Sequence, residues 1–346
     1  MNDAVTAPTF STPPGLAPAP ASVVRNGTPA TGRYAGSPPQ IDWSGLRGSF
    51  QRSAWWRRFH HKRWHYLAIA TERCFIGLAI VDLGWTNTAF AYVFDRDDKK
   101  LLVDYAQDGL PGLTARVTDQ PTDGAHSWFR HLGASVRYRH VEGTRYRLDL
   151  DLGQDLQVEA EVDTRGAAPF LTAIGPVSGG GCAHSTVKSS ALAVRGSARA
   201  GGKTFDLQDG VASFDYSNGL LARNTQWLWA SAHSRSVGFN LQQGYFGEYE
   251  NVLWLQGQPI ALGSAQFEFD PLQPLLPWRI RTACGRLDLV FEPEGARQAR
   301  KNLLVAASYY IQPIGTFSGT VRATPDGAAQ PVTRLLGVTE DHRSRW

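Results

Sequence analysis

The sequence predicts an all-β protein made of two antiparallel sheets or barrels packed together. Residues 145–163 carry the clearest evidence. Tyr146, Leu148, Leu150 and Leu152 alternate with Arg147, Asp149 and Asp151; Gly153-Gln154-Asp155 turns; Leu156, Val158, Ala160 and Val162 alternate with Gln157, Glu159, Glu161 and Asp163. One apolar and one wet face is the pattern of an antiparallel sheet or a barrel wall. Short strand-like runs recur through the rest of the chain at roughly 8–12 residue spacing, and long helical periodicity is almost absent. About twenty such strands exceed one small barrel, so two packed units are the economical reading.

Residues 1–40 hold eight prolines and three charged residues. Such a stretch buries too little apolar area to offset ordering, so residues 1–22 are expected to be disordered. Residues 23–60 are expected to form an irregular covering strap anchored by Val23, Ile41, Trp43 and Leu46. The first β-barrel is expected over 61–176. It opens with Trp64–Ile69, then Cys74–Leu83, a nearly continuous apolar run compatible with a buried strand, then Trp85–Phe94 before the polar turn Asp95–Asp98. The glycine-rich segment Gly175–Gly181 reads as the crossing to a second β-barrel over 177–346. Gly295–Leu303 reads as one short helix.

The chain has 346 residues, 42% of them hydrophobic, 11 tryptophans and a net charge of +4. That mild charge argues against a nucleic-acid partner. The basic run Arg57–Arg63 reads as a solvated lead into the first strand, with weak peripheral membrane contact left open. Cys74, Cys182 and Cys284 are far apart and show no C-x-x-C spacing, which argues against disulfides or zinc and for a reducing, cytoplasmic compartment. No signal-peptide pattern and no apolar run of about 20 residues is present. No metal site or cofactor is expected: the histidines lack nearby carboxylates, Gly179-Gly180-Gly181 does not open a helix, and no G-x-S-x-G elbow occurs.

Three constellations carry chemistry. In the first, Asn218-Gly219 signals a tight turn after Asp215 and Tyr216. The following strand then sets Arg223, Thr225, Trp227 and Trp229 on one face, too polar for a plain core and too aromatic for a plain surface. Asp215 would either pair with the arginine or act as a proton donor in an apolar pocket. In the second, Cys182, His184, Thr186 and Lys188 share a strand face, with His184 and Lys188 roughly 13 Å apart. In the third, Asn240 and Gln242 share one face, and Glu250, Asn251 and Trp254 follow on the next strand. Amides inside a β cavity satisfy one another or a polar ligand head. Asp215 and His184 are therefore the candidate proton-transfer residues. Arg223, Thr225, Trp227, Trp229, Tyr216, Lys188, Asn240, Glu250, Asn251 and Trp254 are the candidate ligand contacts.

Four segments resemble a family of bacterial and fungal proteins, the domain-of-unknown-function family numbered 2804. They are Lys62–Tyr66, Asp215–Gly219 with Arg223–Ala230, Glu250–Trp254, and the tail Gly337–Trp346. The resemblance implies a pair of lipocalin-like β-barrels, similar to carotenoid hydratase, tocopherol cyclase and fungal Diels–Alder cyclases. It transfers no catalytic residue. Three functions stay open: binding of a lipid-like or isoprenoid-like small molecule, a cyclase, isomerase or hydratase acting on one by proton transfer, and a structural or partner-binding protein whose tryptophans are core. Oligomeric state is not legible.

Overall fold

The computed structural model describes residues 15–302 and 307–345. Among these the fold is nearly all β: a 16-stranded sheet within residues 17–220, a 9-stranded sheet within residues 224–345 and one two-stranded ribbon. The strands that matter below are β1 (His61–Ala70), β2 (Cys74–Asp82), β3 (Asn87–Asp95), β4 (Lys100–Gly109), β5 (Ala183–Lys188) and β6 (Val211–Leu220) in the first sheet. The second sheet supplies β7 (Asn224–His233), β8 (Val237–Gly244), β9 (Leu287–Asn302), β10 (Ala307–Val321) and β11 (Gln330–Arg345). One helix of seven residues, α1 (Ala54–His60), precedes β1 and is capped by the Ser53 side chain accepting from Trp56 N. No helix among the described residues is long and apolar enough to cross a membrane.

Each sheet curls around its own core. In the first, β6 pairs along its whole length with β1 and on its other edge with β5 and the strand Leu192–Ala200. The hairpin read from sequence forms as expected, Arg145–Asp151 pairing with Leu156–Asp163, and its apolar face points into the first core. The second sheet runs β8-β7-β11-β10-β9 through its middle, and its far strand Ala265–Glu268 returns to β8, where Phe267 N donates to the Gln243 side chain at 3.3 Å. Phe239, Phe291 and Phe317 fill that core.

The side chains that alternate away from these cores meet each other. Tyr66, Phe75, Ala79 and Tyr92 of the first sheet pack with Trp229, Ile314 and Val338 of the second. This is why Cys74–Leu83 is apolar on both faces: β2 is covered from inside its barrel and from outside by the other sheet. Polar clasps flank the contact. Arg96 pairs with Glu294 at 3.2 Å, Trp254 Nε1 donates to Pro169 O at 2.9 Å, and the Tyr92 hydroxyl donates to Gln312.

Several sequence expectations need correction. The two sheets do not meet at 176/177. Gly175–Gly181 is the hairpin between Leu171–Pro176 and β5, with Gly179 and Gly180 at φ +68° and +92°, and the crossing is Leu221–Arg223. The glycines serve a turn inside one sheet. Asn218-Gly219 is not a turn but part of β6, where pairing on both edges overrides the local signal. A Cβ at Gly219 would lie 2.5 Å from the His184 Nδ1, so the glycine makes room for the imidazole. Residues 295–302 are strand, paired with β10, instead of helix; Leu303 lies outside the described residues. The expected disorder of 1–14 also lies outside them, whereas Ala17–Pro18 pairs with Tyr34–Ala35, so order begins before residue 23. The basic run is only partly solvated: Lys62 is fully buried, donating to Leu83 O at 2.9 Å, and its burial pulls its pKa down to about 7.

The strap is anchored by Trp43, 3% exposed, whose indole donates to Asn218 Oδ1 at 3.0 Å. Trp43→Ala should cost about 3–5 kcal/mol in urea unfolding, from lost packing and a lost buried hydrogen bond. A cost below 1 kcal/mol would mean that the strap is dispensable. His65, His184 and His233 are each driven down to about 3 by burial, with Lys188 adding repulsion at His184. A lowered folded pKa means that stability is complete above the ordinary imidazole value and falls as the unfolded chain takes up protons below it. Stability should therefore drop as pH falls from 6.5 toward 3, by about 1.4 kcal/mol per pH unit for each histidine that stays neutral in the fold. Urea midpoints that do not move between pH 7 and pH 5 would contradict this.

Candidate functional site

Where the two sheets face each other they leave a cavity of about 320 Å³. The two-residue period of each strand decides what enters it. Trp64 and Tyr66 come from β1, Ala79 and Val81 from β2, and Phe90 from β3. Opposite them stand Trp227 and Trp229 of β7, Arg297 of β9, Tyr310 of β10, and Glu340 and His342 of β11. The walls are predominantly aromatic and aliphatic. Trp64 and Trp227 lie nearly parallel across the seam, centroids 6.3 Å apart at 8°, and Tyr66 meets Trp229 edge-on at 5.7 Å. Each second-sheet indole is fixed by its N–H: Trp227 Nε1 donates to Glu340 Oε1 and Trp229 Nε1 to Asn240 Oδ1, both at 2.8 Å.

A charged cluster stands at one end. Lys188, 3% exposed, projects from β5 between Asp215 of β6 and Glu250, which lies in the turn after β8. The Lys188 ammonium is 2.6 Å from Glu250 Oε2 and in direct contact with Asp215 Oδ2. Thr186 and Ser217 hydroxyls donate to the other Asp215 oxygen at 3.2 and 3.3 Å. Burial opposes the charge on Lys188, but the two carboxylates outweigh it and hold its pKa above the usual lysine value. Burial raises the pKa of Glu250 above 4.5, Lys188 pulls against this, and the Asp215 charge adds to the rise. With Glu250 protonated the cluster is electrically neutral: one ammonium, one carboxylate, one carboxylic acid.

At the other end Arg297, also 3% exposed, is boxed by rings, its guanidinium carbon 4.3 Å from the Phe90 centroid and 5.2 Å from that of Tyr310. Its Nε donates to Asp104 Oδ1 of β4 at 2.8 Å, again across the seam. Glu340 accepts from Gln312 Nε2 at 3.0 Å and lies 3.4 Å from His342 Nδ1. Among the described residues no three His, Cys, Asp or Glu side chains converge as a metal-binding group.

Of the residues singled out from sequence, Asp215, Lys188, Glu250, Trp227 and Trp229 line this one cavity. The others lie elsewhere. His184 shares the Lys188 face but packs among Trp64, Tyr245 and Phe246, its Nε2 3.3 Å from the Tyr245 hydroxyl, so it backs the wall instead of facing the cavity. Tyr216 points to the opposite side of β6 and donates to Thr118 O inside the first barrel. Arg223 sits in the crossing loop, and Thr225 borders a separate shallow recess with Arg300 and Arg343. Asn240 holds Trp229; Asn251 accepts from Gln242 N at 2.6 Å; Trp254 is bonded to Pro169 O. These three position the wall. Gln242, read from sequence as a cavity amide beside Asn240, does line the cavity, whereas sequence reasoning left out Phe90, Arg297, Tyr310, Glu340 and His342. Glu340 and His342 alternate on a strand inside a family-like segment, a signal that was available. Arg297 was hidden by the helix expectation.

No curated protein matches the sequence. The fold is similar to that of kievitone hydratase from Nectria haematococca, with a TM-score of 0.52 and 9% identity over 84% of this chain and 90% of that one. A putative AttH from Nitrosomonas europaea gives 0.53 and 13% identity over 82% and 92%. CghA, solved with Sch210972, gives 0.55 and 9% over 96% and 98%. At these identities the likeness is one of fold: paired, lipocalin-like curled sheets. The model of the domain of unknown function DUF2804 matches residues 24–346, and the chain belongs to that family.

Proposed function

We propose that the protein binds a hydrophobic small molecule in the seam cavity and transfers a proton to it, as a hydratase, isomerase or cyclase does. The observation that carries this is the Lys188–Asp215–Glu250 cluster, buried at the wall of a cavity lined mainly by aromatic and aliphatic side chains. Three ionisable groups held out of water are expensive unless they are used or fully paired. Burial and the Asp215 charge raise the pKa of Glu250 while Lys188 pulls against them, and a raised carboxyl pKa is the direction that a general acid requires. The likeness in fold to proteins named as a hydratase and to CghA supports the same class, by fold analogy only.

The chemistry follows from the arrangement. Glu250 gives its proton to an unsaturated carbon or a carbonyl oxygen of the bound molecule. The positive charge that develops is met by the π faces of Trp64, Tyr66, Trp227 and Trp229. Asp215 takes up a proton from water or from the neighbouring carbon as the product forms. Lys188, between the two carboxylates, fixes both and offsets the charge left on Glu250. The aromatic walls lower the local polarity around the cluster, which strengthens each of these interactions.

Purified protein should carry a small apolar molecule that native mass spectrometry detects and solvent extraction releases. With that molecule as substrate, Glu250→Gln should retain binding while turnover falls by about 10²-fold or more, because the amide keeps the shape and cannot donate the proton. Asp215→Asn should behave likewise. If both variants turn over normally, the protein binds without this chemistry; if nothing is retained and no apolar molecule competes for the site, the cavity is not a binding site. Turnover should also decline as pH rises through the elevated pKa of Glu250, since the acid form is the donor. Lys188→Met should destabilise the fold by about 3–5 kcal/mol, because it leaves the Asp215 carboxylate buried without a counter-charge.

A further inference from the structure

Gln242 lies on β8, directly opposite Trp229 in the β7–β8 register, and its side chain lines the seam cavity. It is 2% exposed. Its backbone N–H is satisfied by Asn251 Oδ1, but neither Oε1 nor Nε2 of the side chain has a hydrogen-bond partner among the described residues. Leaving a buried carboxamide unbonded on both sides costs far more than filling the position with leucine or methionine. The neighbouring amides are used: Asn240 bonds Trp229 and Glu250 O, Asn251 bonds Gln242 N and Gly263 O, and Gln312 bonds Tyr92 and Glu340. Gln242 stands out by bordering the cavity with both amide atoms buried and neither of them bonded.

We infer that Gln242 is the specificity-determining residue of this cavity, and that it reads a neutral group carrying a donor beside an acceptor, as a carboxamide does. This rests on the proposed binding function. A carboxamide partner satisfies the acceptor Oε1 and the donor Nε2 together, in a paired arrangement. A carboxylate offers acceptors only and leaves Oε1 unmatched. It would also bring a further negative charge to the wall that already holds Glu250 and Asp215 against the one ammonium of Lys188. A hydrocarbon of the same shape leaves both amide groups desolvated. Sites built around a buried hydrogen-bonding group reject analogues that lack its partner much more strongly than apolar pockets reject a missing methylene.

Three probes of nearly one shape separate the cases: 1-naphthaleneacetamide, 1-naphthaleneacetate and 1-isobutylnaphthalene, titrated calorimetrically against the full chain. The amide should bind at least tenfold more tightly than the hydrocarbon, and more tightly than the anion. In Gln242→Leu the amide's advantage should vanish while the hydrocarbon binds within about threefold of its original affinity. Gln242→Met, which keeps the length of the side chain, is the second variant, and thermal midpoints of both should be unchanged or raised, since no internal bond is lost. Equal affinity for amide and hydrocarbon in the unaltered protein overturns the inference and leaves the binding site standing. A fall in midpoint of both variants also overturns it, because the amide would then be bonded within the fold. Failure of all three probes to bind overturns the inference and the binding site together.

Discussion

The buried ammonium of Lys188 sets the terms for the centre of this molecule. A charge this far from water must be met by opposite charge, and here the partners come from both halves: Asp215 from the first sheet and Glu250 from the second. The requirement therefore acts between sheets as well as within one. The same logic recurs at the other end, where Arg297 of the second sheet reaches Asp104 of the first while aromatic rings cover its guanidinium. Ion pairs at the ends and apolar rings between them hold the seam together.

The seam differs from the two interiors in how it is filled. Each barrel is closed over its own residues, with Phe214 and Tyr216 in one and Phe239 and Phe317 in the other. Strands β1 to β3 carry apolar side chains on both faces, so their outer face needs a second cover. Much of that face is packed against Trp229, Ile314 and Val338. Elsewhere along that face the two sheets leave a space, lined by the charged cluster at Lys188 as well as by rings. The candidate site sits in the gap between two finished cores. This arrangement lets each core be packed for stability while the gap answers to something else.

How much of this could be read from the sequence depends on distance along the chain. The class was legible because alternation is local: Tyr146–Leu152 declares its wet and dry faces within seven residues. The faces of Lys188, Trp227 and Trp229 were legible for the same reason, as was the aromatic character of the wall. What a face meets is not local. Tyr216 and Asp215 are neighbours on one strand, yet one enters the barrel and the other the seam, and only the pairing of β6 with β1 and β5 decides which. The Asn218-Gly219 turn signal failed because Asn218 spends its side chain on Trp43, His61 and Asp119, partners from three distant segments. The helix expected at 295–303 failed because residues of high helix propensity were recruited into the ladder with β10, which also delivers Arg297 to the cavity.

The covalent link between the two sheets is short, Leu221 to Arg223, and its Leu221 packs in one cluster with Val177 of the first unit and Phe246 of the second. Alignment is left to side chains, and the cavity is bounded by both partners at once. A molecule lodged there becomes part of the joint. Because it touches both barrels and neither barrel alone offers the whole site, its occupancy couples their unfolding. At a hundredfold excess over its dissociation constant it adds about 2.7 kcal/mol to the assembled state alone. The filled protein would melt as one cooperative unit, whereas in the empty one the halves are freer to come apart in succession. Occupancy would then be readable from the sharpness of a melting curve, without any knowledge of what the occupant is.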